Sequence, residues 1–163
     1  MTILSTLLAS PLGSILIEGD ERYVHRIVIG CETGGETGGL AIERIDPASP
    51  AGRAAAQLRA YFDGACEDFE LPLAPATTAR GDVLRQAITA IPYGASLSYG
   101  GVARLAASSP RAIGQACARN PFPIVVPCHR VLGNGGAIGH YSAGDGVATK
   151  LWLLEHERRG GLL

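Results

Sequence analysis

No aspartate or glutamate occurs between Val83 and Gly144, while Arg85, Arg104, Arg111, Arg119 and Arg130 all fall inside that interval. Residues 80–163 carry eight Arg and one Lys against four acids, a balance of +5; residues 1–79 carry five Arg against eleven acids, a balance of −6. The net charge of −1 therefore conceals two opposed halves. Opposite signs at the two ends read as two domains, one of which meets a polyanion. Mutual attraction between the halves is the competing account, and the length of the acid-free run favours nucleic acid over it.

Other absences narrow the class. No stretch of about 18 apolar residues exists, so no membrane span is expected, and Met1 to Ala9 lacks the basic start of a secretory leader, so the cytoplasm is the expected compartment. The four cysteines, Cys31, Cys66, Cys117 and Cys128, form no CxxC pair and no zinc-ligand spacing with His25, His129, His140 or His156. Neither metal nor cofactor is expected, and in a reducing compartment the thiols stay free. There is no internal repeat. What remains is a 163-residue chain, 47% hydrophobic and 18% charged, long enough for one ordinary domain or two small ones.

Taken in order, Ile3–Ala9, Ser14–Glu18 and Tyr23–Ile29 are short β-branched runs separated by the turn signals Pro11-Leu-Gly13 and Gly19-Asp-Glu21, which predicts an antiparallel meander. Gly30–Gly39 holds five glycines and reads as a loop; Glu43–Asp46 suggests a further short strand. Ser49-Pro50 then opens a helix, with Ala54, Leu58, Tyr61 and Phe62 as its core side and Gly64 as its end. Leu71-Pro-Leu-Ala-Pro75 reads as a linker and sets the domain boundary, giving residues 1–76 and 77–163. Beyond it, helices are expected over Asp82–Ala90, Tyr99–Ala106 (capped by Ser98) and Arg111–Arg119 (capped by Ser109-Pro110), and last over Val147–Arg159. The middle pair, joined through Ala107-Ser-Ser109, is a helix-turn-helix pattern. The fold class is α+β: a small N-terminal antiparallel sheet with a helix, then a mainly helical C-terminal domain. In the second helix of the pair, Ala112, Gly114, Ala116 and Ala118 let a backbone come close to a partner, or equally let another helix pack tightly.

Pro127-Cys128-His129-Arg130 follows the apolar run Phe122–Pro127, whose prolines make it a stiff extended connector rather than a central strand. A thiol becomes a strong nucleophile only when ionised, and an imidazole oriented by a carboxylate can take its proton. Side chains adjacent on an extended chain point to opposite faces, so His129 reaches Cys128 only if the backbone turns or a water bridges them. Glu157 is the first candidate to orient the imidazole and Glu155 the second; on spacing alone, a solvated helix-end acid is the favoured account of Glu157. Asn120 is either a plain helix cap or a brace for the turn around Cys128. Tyr99 either packs or donates its phenol proton.

Ile91-Pro-Tyr-Gly94, Ser98-Tyr99, Arg111-Ala-Ile-Gly114, Asn120-Pro121, Pro123 to Val131 with its Pro-Cys-His-Arg core, Gly139-His-Tyr-Ser142 and Trp152 to Glu157 together resemble the O6-alkylguanine-DNA alkyltransferase family. The N-terminal half resembles it only loosely. The resemblance implies a monomer that binds double-stranded DNA through the minor groove and flips out an O6-alkylated guanine, with O4-alkylthymine as a second substrate. Cys128 would take the alkyl group once and irreversibly. His129 would deprotonate it through a water, Glu157 would orient His129, and Asn120 would brace the turn. Arg111 would fill the vacated stack and Tyr99 would assist flipping. Ser142 and the Val131 backbone would touch the base, Gly139 and Tyr141 would line its pocket, and Ala112, Gly114, Arg119 and Arg130 would complete the DNA surface. The chain departs from the pattern in a helix-turn-helix turn about two residues short, in Arg80 and Arg85 at usually aromatic positions, and in His140 in place of Asn. Those departures motivate an alternative, a lesion-sensing binding module with little transfer; a transcription regulator and a cysteine hydrolase rank below it.

Overall fold

The computed structural model describes residues 2–30 and 45–160. The expected loop beyond Gly30, and Glu43 and Arg44 of the suggested short strand, lie outside them. The chain divides into two compact units, Met1–Ala74 and Pro75–Leu163.

In the first unit, β1 (Leu4–Ser10), β2 (Gly13–Gly19) and β3 (Val24–Ile29) form the expected meander, in sheet order β1-β2-β3. The first hairpin turns at Gly13, whose φ of +91° a side chain would oppose, and Ser10 Oγ donates to Gly13 O at 2.6 Å. Helix α1 (Pro50–Phe62) starts where Ser49 Oγ accepts from Gly52 N, and it packs on the sheet. Its Ala51, Ala54, Leu58 and Tyr61 are buried, as are Ile15 and Ile17 of β2 and Ile27 of β3 beneath it. Full burial of Leu58 alone contributes about 1.5–3 kcal/mol. The segment read as a linker is instead pinned to β3: Val24 N donates to Pro72 O at 2.7 Å and Ala74 N to Val24 O at 2.8 Å. Pro72 and Pro75 flank a single bridge at an edge, where the missing proline donors cost nothing.

In the second unit, α2 (Ala79–Thr89) begins three residues before the expected Asp82, because Thr78 rather than a later residue supplies the cap, accepting from Gly81 N at 3.0 Å. The two-residue strand β4 (Leu97–Ser98) runs parallel to β5 (Val131–Leu132), pairing Leu97 with Val131 and Ser98 with Leu132. Helix α3 (Tyr99–Leu105) is capped by Ser98, and α4 (Pro110–Ala118) by Ser109. The tight connection between them passes through Ala107 at φ +50°, and the two helices pack together as the helix-turn-helix pattern requires. Helix α5 (Val147–Gly160) closes the unit.

The main correction concerns residues 122–127. They are not extended. Val126 N donates to Phe122 O at 2.9 Å and Cys128 N to Val126 O at 2.8 Å, so the run is a succession of turns. Phe122, Ile124, Val125 and Val126 are all buried. Ile124 sits at φ +74°, a left-handed conformation that a β-branched residue adopts only when its surroundings impose it, at a cost of about 1–3 kcal/mol. Burial of the isoleucine side chain offsets that strain and fixes where Cys128 emerges.

Candidate functional site

Cys128, His129 and Arg130 form one 3-10 turn after Pro127. Such a turn breaks the strand-like alternation and lets three consecutive side chains address three different neighbours. Cys128 faces a cavity of about 220 Å³ lined by Tyr99, Gly114, Cys117, Ala118, Cys128, His140, Tyr141 and Ser142. The thiol is nearly buried, at 4% exposure, yet it is part of that cavity wall.

Asn120 braces the turn. Its Nδ2 donates to Val126 O at 2.9 Å and to Cys128 Sγ at 3.3 Å, and its Oδ1 accepts from Phe122 N at 2.9 Å. The cap of α4 is Arg119, one residue earlier, so the brace and not the cap describes Asn120.

Behind the thiol lies a buried ionic cluster. His129 Nε2 donates to Glu157 Oε1 at 2.8 Å, and Arg130 grips the same carboxylate through Nη2 at 2.6 Å and Nε at 3.0 Å. Arg130 Nη1 donates to Ile91 O at 2.7 Å, and the guanidinium lies over the Tyr93 ring. Glu157 is 1% exposed, so the solvated helix-end account is wrong: the α5 stripe Lys150, Leu153 and Glu157 faces inward at helical spacing. Burial opposes the charge of Glu157, but the hydrogen bonds from His129 and Arg130 prevail and hold its carboxyl at about 2. For His129 burial prevails instead, keeping the ring's proton affinity below its usual value despite Glu157. With Nε2–H committed to the carboxylate, Nδ1 carries the lone pair; it is buried and has no hydrogen-bond partner among the described residues.

Arg130, expected on the DNA surface, is corrected by this arrangement. Its charge is 4% exposed and spent inside the cluster, out of reach of a phosphate. Val131 is fully buried; its carbonyl accepts from Lys150 Nζ at 2.7 Å. Tyr99, Gly114, Tyr141 and Ser142 do meet at the cavity. Burial raises the proton affinity of Tyr99, and the Tyr141 hydroxyl is buried with no partner among the described residues, its pKa pushed up for the same reason. Gly139, at φ +71°, leaves room beside Tyr99 OH, 3.8 Å from where a side chain would begin. Arg111, at the start of α4, is exposed and borders no part of the cavity. Ala112 and Arg119 line a second, larger groove of about 520 Å³ with α2, on another face of α4.

Two residues escaped sequence reasoning. Cys117 faces the cavity because Gly114, Cys117 and Ala118 recur at i, i+3 and i+4 on α4, a spacing visible in the sequence. Lys150, the single lysine, is fully buried, its Nζ also donating to His140 O at 3.3 Å. Its place in the inward stripe of α5 was the available signal. Burial lowers its proton affinity.

This geometry has counterparts. Residues 3–75 match the model of the "6-O-methylguanine DNA methyltransferase, ribonuclease-like domain" and residues 81–159 that of the "6-O-methylguanine DNA methyltransferase, DNA binding domain". The constitutive methylated-DNA–protein-cysteine methyltransferase of Bacillus subtilis is 37% identical over 153 residues, covering 91% of this chain and 92% of its own length. The human protein of the same name is 35% identical over 167 residues, covering 93% of this chain and 79% of that one. A crystal structure of Mycobacterium tuberculosis OGT in complex with DNA superposes with a TM-score of 0.77 at 29% identity, covering 96% of this chain and 93% of the other. The fold, its helix-turn-helix and these relatives together define an alkyl-transferring class of DNA repair protein. The chain belongs to the methylated-DNA–protein-cysteine methyltransferase family.

Proposed function

We propose that the protein repairs DNA by moving an alkyl group from O6 of guanine in duplex DNA to Cys128, once per molecule. The observation that carries this reading is the assembly of a cavity-facing thiol, its Asn120 brace and the His129–Glu157 pair within one unit. The thiolate attacks the alkyl carbon; the carbon–oxygen bond breaks, its electron pair passes to O6, and the guanine gains a proton. Tyr99 is the donor toward the base and His129 Nδ1 the acceptor of the thiol proton through a water. The product thioether cannot ionise, so no second transfer follows. A base stacked in the duplex cannot reach a cavity of this size, so it must be everted. Arg111 and the small residues Ala112 and Gly114 of α4 supply the groove-facing surface, and Arg119 supplements it. Gly139, Tyr141, Ser142 and the Val131 backbone form the base-binding wall. Residues 77–163 hold all of these groups, and residues 1–76 form a separate supporting domain. Among the described residues no helix is long and apolar enough to cross a membrane. The cytoplasm is the proposed compartment, where a free nucleophilic thiol stays reduced.

The test is a duplex carrying one O6-methylguanine, labelled on the methyl group. Label is expected on the protein at one equivalent per molecule, and none on Cys128→Ser. Tight lesion binding without any mass gain on Cys128 would instead establish the lesion-sensing alternative.

A further inference from the structure

One nucleophile in the cavity has no part in the transfer chemistry: Cys117. Cys117 and Cys128 line the same cavity of about 220 Å³, one from α4 and one from the Cys128–Arg130 turn, and their thiols lie close enough for each to shift the other's proton affinity. Neither is in a disulfide. Two thiols that share the wall of one cavity of this size need only a short approach to reach the S–S bond length of about 2 Å.

We propose that Cys117 is a resolving thiol for Cys128, making the pair a modification site that takes small peroxides and ends as a reversible Cys117–Cys128 disulfide. The chemistry balances. A thiolate of the pair attacks one oxygen of hydrogen peroxide, the O–O bond breaks, and a sulfenic acid and hydroxide result. The other thiol attacks the sulfenic sulfur, forms the S–S bond and expels the second oxygen as water. In sum the two thiols lose two electrons and two protons, and the peroxide becomes two waters.

Several features favour this outcome over simple overoxidation. Cys117 gives up its proton more readily than an ordinary thiol, because the neighbouring Cys128 thiol stabilises its thiolate and the Lys150 ammonium adds positive potential against burial. Cys128 holds its own proton more tightly than an ordinary thiol, because of the neighbouring Cys117 and of burial, which outweigh Asn120 and Lys150. One thiolate beside one thiol is the starting state that sulfenic acid formation and resolution require. The cavity of about 220 Å³ admits a molecule as small as a peroxide without any base flipping. Without a neighbour, a sulfenic acid on Cys128 would proceed to sulfinic acid, which thiols do not reduce. With Cys117 in the same cavity it is caught at the disulfide, which they do.

The disulfide itself does not depend on the proposed function; only its consequence, that transfer is silenced until reduction, rests on that reading. The experiment uses the full chain without DNA. The reduced protein is exposed to hydrogen peroxide, blocked with N-ethylmaleimide, and read by intact mass and tryptic mapping, before and after dithiothreitol. The wild type is expected to lose two hydrogens, to yield the peptide of Cys117 linked to that of Cys128, and to regain both thiols on reduction. In Cys117→Ala, and in Cys117→Ser as a second variant against misfolding, Cys128 is expected to gain two or three oxygens and to lose its recovery by dithiothreitol. Linkage of Cys128 to Cys31 or Cys66 instead, or equal recovery of Cys128 in wild type and both variants, would overturn the proposal. The labelled-duplex assay on the reduced protein separates the two ideas: a chain that transfers but never cross-links refutes only the resolving thiol, and one that cross-links but never transfers refutes only the repair reading.

Discussion

Among the described residues a histidine–carboxylate pair stands in each unit, and the two are built to opposite ends. In the first unit His25 Nε2 meets Asp20 Oδ2 at 2.5 Å, with Asp20 Oδ1 accepting from the backbone of Arg22 and Tyr23 in a local turn. The His25 side chain is 30% exposed, so water can solvate its charge. In the second unit His129 and Glu157 are 0% and 1% exposed, come from positions 28 residues apart, and share their carboxylate with Arg130. Both carboxyls are held at about 2, Asp20 first by the hydrogen bond from His25 and then by backbone donors, Glu157 by His129 and Arg130 against burial. The difference is in what a lost partner leaves behind. In the first pair an orphaned His25 is rehydrated, although Asp20 itself is buried. In the interior an orphaned group is a buried, uncompensated charge.

The sharpest way to break this contrast is Glu157→Gln. It leaves the Arg130 guanidinium buried without a counter-charge, and a loss of about 3–5 kcal/mol in urea unfolding is expected. A loss below ~1 kcal/mol would place the cluster with ordinary surface pairs. Next is Asn120→Ala, which strips a donor from Val126 O and Cys128 Sγ and an acceptor from Phe122 N. An unfolding loss of about 1–3 kcal/mol is expected, together with slower alkylation of Cys128 by iodoacetamide. Lys150→Met should cost less stability, since the stem still fills its space, but should move the pH profile of Cys128 alkylation to higher pH, because the ammonium no longer favours the thiolate. Asp20→Asn should give the smallest shift of all in thermal midpoint, because its partner His25 already meets solvent.

Acid separates the pairs further. His129 binds its proton less readily folded than unfolded, so the unfolded chain gains the proton first, and stability begins to fall as pH drops below the ordinary 6.5. The contributions of Asp20 and Glu157 are complete above their ordinary values of 3.8 and 4.5 and are lost only as pH falls toward about 2. The urea midpoint read by fluorescence of Trp152, the single tryptophan and a resident of α5, should therefore fall between pH 6.5 and 4.5, before either carboxyl is titrated. An unchanged midpoint over that window would show that folding leaves the proton affinity of His129 where it is in the unfolded chain.

The meander, the helix opened by Ser49-Pro50 and the helix-turn-helix were legible because each is a local matter: β-branched runs between turn residues, or a hydroxyl cap ahead of a periodic apolar face. The motif around Cys128 was legible as a motif but not as a shape. Pro123 and Pro127 argued for an extended chain, whereas the fold bent Phe122–Pro127 into turns by burying Ile124 at a positive φ. Arg130 was misplaced for a related reason. An arginine in an acid-free run reads as a surface charge until Glu157, 27 residues on, is found beside it.

The sequence by itself determined the elements, the division of charge and the reactive residue types, since propensity, capping and composition act over a few neighbours and do not depend on the fold. Tertiary structure alone decided which side chains share the interior: that Glu157 serves both His129 and Arg130, that Lys150 is buried, and that Cys117 shares a cavity with Cys128. Those outcomes depend on desolvation and on long-range packing, and a chain read in order contains neither.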